Sequence, residues 1–246
     1  MSFVRPVLPD KPIRVPAGWK IHSYRLQDVQ PSEVLKIEGY PNTKGWLIFD
    51  SELLFFEYEK RNLILDMGWF PQSDPNGEFI LRIIKNEKWS EREIICETRD
   101  LNEITSVIED TMLKISLENG DFKVRARNLK LQSLCPEGGW RFVHNQFFEL
   151  DPQSEMIVEG LPNNDGWQLL NQDLLFLEAY SNEKLKLKLD WIPAHDPKGR
   201  YVAQVINEKF TRRPLAEIQT KHKVEVVEFI NQMMLTAHKL KLRRIA

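Results

Sequence analysis

The side chains able to do covalent or acid–base chemistry are few and scattered. Of the five histidines, His22, His144, His195, His222 and His238, none stands at a spacing that would build a zinc site with another His or a Cys, and no His-Glu-x-x-His run occurs. His195 falls in an Asp-Pro-x-Gly segment and reads as an exposed turn residue rather than a base. Cys96 sits in an apolar run and reads as buried, while Cys135 precedes Pro136 at a boundary and reads as more exposed. Nothing nearby in sequence would lower either thiol pKa, so neither is read as a nucleophile. Asp74 and Asp196, each followed by Pro-x-Gly, are the best-placed carboxylates, but Asp at that position has a structural task in capping its turn. Gly-x-Gly-x-x-Gly, the P-loop and Gly-x-Ser-x-Gly are missing. The expectation is a protein with no catalytic residues, no metal ligands and no cofactor.

Composition narrows the class. The 246 residues are 42% hydrophobic and include seven Trp and thirteen Phe, enough for a core and too many for general disorder. The longest apolar runs, such as Leu53–Phe56, are four residues, whereas a membrane-spanning helix needs about twenty. No secretory signal pattern opens the chain, cysteines are sparse and no Asn-x-Ser/Thr sequon occurs, so a reducing, cytoplasmic setting is expected. Basic stretches lie at Lys123, Arg125, Arg127 and Lys130 and in a tail over 238–246, but the chain as a whole carries −2, which argues against direct nucleic-acid binding.

The elements that must position any site repeat. Trp19 matches Trp140, Glu38–Asn42 matches Glu159–Asn163, and Gly45-Trp46 matches Gly166-Trp167. Trp69–Gly77 matches Trp191–Gly199, and the register holds at an offset of 121 or 122 as far as Met112 and Met234. A unit of about 100 residues is long enough to bury a core of its own, unlike the short units of solenoids. The sequence therefore predicts an extended Pro-rich arm over 1–15, one module over 16–115, a connector over 116–135, a second module over 136–237 and the basic tail. Lys184–Trp191 alternates strictly between polar and apolar, the mark of a half-buried strand. Asp-Pro-x-Gly then turns the chain into a return strand, and a capped, apolar-striped segment after Asp100 reads as a helix. The expected fold class is α+β: two tandem homologous modules, each an antiparallel meander of about four to five strands covered by a C-terminal α-helix. Ile64, Phe70, Ile80, Ile84, Val202 and Ile206 would point away from that core, and mutual packing of the modules is the expected cover.

The run Leu65–Pro71, then Asp74-Pro75-x-Gly77-x-Phe79-x-Leu81-x-Ile83, then Asn86–Trp89 and a capped helix, resembles small immunity proteins encoded beside bacterial polymorphic toxins, including contact-dependent growth inhibition systems. The resemblance covers most of each module, although such proteins usually hold one. It implies a cytoplasmic protein that binds one toxin domain, often a nuclease and here by preference an RNase, and blocks its active site. It also implies a free monomer and a one-to-one complex. A nuclease site is basic, so its inhibitor should present acid. Residues 1–120 hold 15 Lys/Arg against 20 Asp/Glu, and residues 121–246 hold 19 against 16, four of the basic residues lying in the tail. That asymmetry places the expected partner-binding residues in the first copy: Glu57, Glu59, Asp66, Phe70, Asp74 and Glu78. A protein-binding scaffold without a toxin target, and an enzyme with a site between modules, are the alternatives.

Overall fold

Period-two stretches of Val, Ile, Leu and aromatic residues become strands wherever one face has a core to join. The computed structural model describes residues 8–36, 45–123, 129–180, 185–207 and 214–240. In chain order the elements are β1 (Trp19–Tyr24), β2 (Leu54–Tyr58), β3 (Leu63–Phe70), β4 (Glu78–Lys85), β5 (Glu93–Thr98) and α1 (Leu101–Glu118). There follow β6 (Trp140–Asn145), β7 (Leu175–Ala179), β8 (Leu185–Ile192), β9 (Arg200–Asn207), β10 (Ala216–Thr220) and α2 (Lys223–Leu240).

The ten strands form one antiparallel sheet in the order β10-β9-β8-β7-β6-β1-β2-β3-β4-β5. This corrects the expected fold of two tandem α+β modules, each with its own meander under a C-terminal helix. The molecule is mostly sheet, with two α-helices among the described residues, and β1 pairs antiparallel with β6, Lys20 opposite Arg141 and Ile21 opposite Trp140. Gly18 N–H donates to the Phe142 carbonyl and Gly139 N–H to the Ile21 carbonyl, both at 2.7 Å, which closes the seam symmetrically. The physical reason lies in the strand edges. Each five-stranded run would otherwise present a first strand with a row of unpaired N–H and C=O groups, and joining the two rows satisfies both. Alternation in a sequence reports which side of a strand is buried and says nothing about its edge. The same seam replaces the expected packing of one module on the other: the halves meet edge to edge.

One hydrophobic cluster runs under the whole sheet, from Trp69, Phe79 and Leu81 through Trp19, Ile21 and Trp140 to Leu189, Trp191 and Tyr201. Helix α1 packs on β4 and β5 and α2 on β9 and β10. Irregular segments supply more of the cover, with Ile13, Val15, Leu26, Trp46, Phe49 and Leu134 all buried. Residues 8–15 of the expected arm are stitched down: Ile13 and Leu134 exchange two backbone hydrogen bonds at 2.9 Å, and Asn145 Nδ2 donates to the Val15 carbonyl at 2.8 Å. Residues 1–7 of the arm, 124–128 of the connector and 241–246 of the tail lie outside the described residues, as do 38–42 of the repeat. No helix among the described residues is long and apolar enough to cross a membrane.

Candidate functional site

With one face of the sheet spent on the core, chemistry belongs to the outer face, and strand register dictates what meets there. A single row of opposed residues crosses eight strands: Ile206, Lys186, Glu178, Arg141, Lys20, Glu57, Ile64 and Ile84. In charge and polarity its two halves mirror each other about the seam, Lys20 answering Arg141, except at one place, where Lys186 on β8 is matched by Ile64 on β3. Glu178 is therefore met by a lysine, at 3.6 Å, while Glu57 has an apolar neighbour on β3.

His22 breaks the mirror a second time, since its counterpart is Val143. A local shift in the β1–β2 register sits at His22, between Ile21 and Ser23, and the imidazole turns onto Glu57. Its Nε2–H donates to Glu57 Oε2 at 2.7 Å. Nδ1 lies 3.2 Å from the Tyr180 hydroxyl, which is also 3.0 Å from the Ile21 carbonyl; the single phenolic proton serves one of them at a time. Both imidazole nitrogens thus have a polar side chain within hydrogen-bond distance. Beside this pair Glu59 is bridged by Lys20 and Arg141 across the seam.

The loop after β4 closes over this corner. Asn86 and Glu87 both take left-handed φ, 53° and 57°, which turns the chain sharply and lays the Trp89–Glu91 turn over β4. The Trp89 ring lies nearly parallel to Phe55, at 11° with centroids 6.3 Å apart, and remains 47% exposed. His22, Phe55, Glu57, Asn62, Ile64, Glu87 and Trp89 enclose an open cavity of about 330 Å³. On the strand beyond, Ile94 and Ile95 of edge strand β5 are exposed.

The six residues expected from sequence separate here. Glu57 lines the cavity and Glu59 lies beside it at the seam. Asp66 and Phe70 belong to another cluster, in which the Arg82 guanidinium sits 4.0 Å from the Phe70 ring centre and 3.3 Å from Asp66 Oδ2. Asp66 is buried, and loss of hydration raises its carboxyl above the usual range, offset in part by Arg82. Asp74 serves its turn: its Oδ1 accepts from Asn76 N–H at 2.7 Å and its carbonyl from Trp69 Nε1 at 2.8 Å. Asp196 does the same with Lys198 and Trp191. Glu78 is half-buried at the start of β4, opposite Phe70 and away from the cavity.

Sequence reasoning missed His22, Glu87 and Trp89. The signals available were the differences between copies, His22 against Val143 and Ile64 against Lys186, together with a tryptophan in a polar loop. Elsewhere, burial pushes the Cys135 thiol up to about 11, so it is protonated at neutral pH. Among the described residues no group of three or more His, Cys, Asp or Glu side chains is placed to hold a metal ion. Set against known proteins, the chain matches no family profile, no curated protein and no solved structure.

Proposed function

We propose that the chain is a cytoplasmic, non-catalytic immunity protein whose outer face in the β1–β5 half covers the active site of a toxin domain, a nuclease and by preference an RNase. It would be a monomer alone and form a one-to-one complex with that domain. The observation that carries this reading is the joint presence on one face of carboxylates and exposed apolar side chains. Glu57 and Glu87 line one cavity with a half-exposed Trp89, Glu59 lies beside it at the seam, and Ile94 and Ile95 are on the nearby edge strand. An aromatic anchor ringed by charge is the usual make-up of a tight, electrostatically steered interface.

The test is to co-express the chain with the toxin domain that the reading expects its neighbouring open reading frame to encode. Rescue of growth, with co-purification at equal stoichiometry, is the expected result. Unrelieved toxicity, with no complex formed, would remove the reading.

A further inference from the structure

The β6–β10 half contains, within its own residues, a contact that the β1–β5 half leaves open. On β7 and β8, Lys186 Nζ stands 3.6 Å from Glu178 Oε1 and 5.6 Å from the centre of the Phe176 ring. The carboxylate and the ring persist on β2 as Glu57 and Phe55, yet the position of the lysine is taken by Ile64. An ammonium has been exchanged for a hydrocarbon, and the cavity of about 330 Å³ opens above it. His22 gives its Nε2–H to Glu57 Oε2; Glu57 Oε1 has no hydrogen-bond partner among the described residues. The loop adds a second flat ring from Trp89 and a second carboxylate from Glu87 to the β1–β5 half; the matching residues 208–210 of the other half lie outside the described residues. No lysine or arginine among the described residues lines the cavity.

We propose that this cavity is an anchor for a guanidinium: an arginine side chain of the bound protein lies against Phe55 and Trp89 and is neutralised by Glu57 and Glu87. Arginine fits better than lysine because its planar cation stacks on aromatic faces and forks to carboxylates, whereas an ammonium is a compact, strongly hydrated charge. The cation comes from outside to the place where, in the other half, Lys186 supplies it from within. The identity of the arginine's owner rests on the proposed function; the chemistry of the cavity does not.

The experiment titrates the full chain with N-acetyl-arginine amide, with the lysine amide and with the uncharged citrulline amide, following the Trp89 indole and His22 ring signals by NMR. Saturable shifts with the arginine amide are expected, at least about tenfold tighter than with either analogue. Ile64→Lys, which copies the other half, should weaken arginine-amide binding by at least about tenfold while leaving the thermal midpoint close to that of the parent. Should that variant not fold, the paired Glu57→Gln and Glu87→Gln changes test the same claim with the same expected loss. Shifts that do not saturate, equal binding of citrulline or lysine amide, or unweakened binding by these variants would each overturn the proposal. Saturable arginine binding without a toxin complex would keep the anchor and remove the immunity reading; a toxin complex without arginine binding would do the reverse.

Discussion

Tyr201 and Phe79 occupy matching places, each opposite a buried tryptophan, and differ by one hydroxyl. The Tyr201 hydroxyl is buried with no hydrogen-bond partner among the described residues, and burial raises the phenol well above its usual range. A buried hydroxyl without a protein partner costs free energy that Phe79 avoids. Tyr201→Phe should stabilise the protein by about 1 kcal/mol, read as a higher urea midpoint at unchanged slope. Asp66 carries a pH signature. Its folded carboxyl is raised by burial, so between the ordinary carboxylate pKa and the raised one the unfolded chain holds fewer protons than the folded one, and stability falls as pH rises through that window. Measured against Asp66→Asn, the parent should lose relative stability as pH rises above the ordinary carboxylate range; a relative gain would mean that the Arg82 pair outweighs burial. At this scale sequence goes only part of the way. Alternation along β3 puts Asp66 on the outer face correctly, but its burial depends on Arg82, sixteen residues on, arriving opposite it.

Among the elements, the turn between β3 and β4 is the most closely determined. Gly77 lies against the Trp69 indole, where an added Cβ would fall 2.3 Å from Nε1 and 2.9 Å from the Pro71 carbonyl oxygen. Gly199 repeats this with Trp191 and Pro193, at 2.3 and 2.8 Å. Gly77→Ala should therefore cost about 1–3 kcal/mol by overpacking, visible as a lowered thermal midpoint, and Gly199→Ala a similar amount. Asp-Pro-x-Gly makes that turn readable in advance, and so does Asp100 for α1, where Oδ1 accepts from Asn102 and Glu103 N–H at 2.7 and 3.2 Å. The Asn86–Glu91 loop is not readable in this way. It closes the cavity through two left-handed residues that are not glycine, and its partner, Phe55, lies more than thirty positions back.

For the whole molecule, the β1–β6 seam changes what a repeat means. The duplication was legible as a steady offset, but the edge-to-edge union was not, because backbone pairing of an edge leaves little trace in side-chain pattern. One core beneath ten strands, with Glu59 bridged from both sides of the seam and Arg14 joining Glu109 at 2.9 Å to Glu149 at 2.8 Å, should unfold as a unit. Far-ultraviolet circular dichroism and tryptophan fluorescence should report one coincident transition in urea; two separate transitions would show independent halves. The union also presents the acidic, aromatic face of the β1–β5 half and the lysines of β8 on a single surface, and the central claim concerns the former. Isothermal titration of the toxin domain that the proposed function requires into the parent and into a Glu57→Lys, Glu87→Lys double variant tests it most directly. A one-to-one complex weakened at least about tenfold by the double reversal is the predicted result; absence of any complex, or a double variant that binds as tightly as the parent, would contradict it.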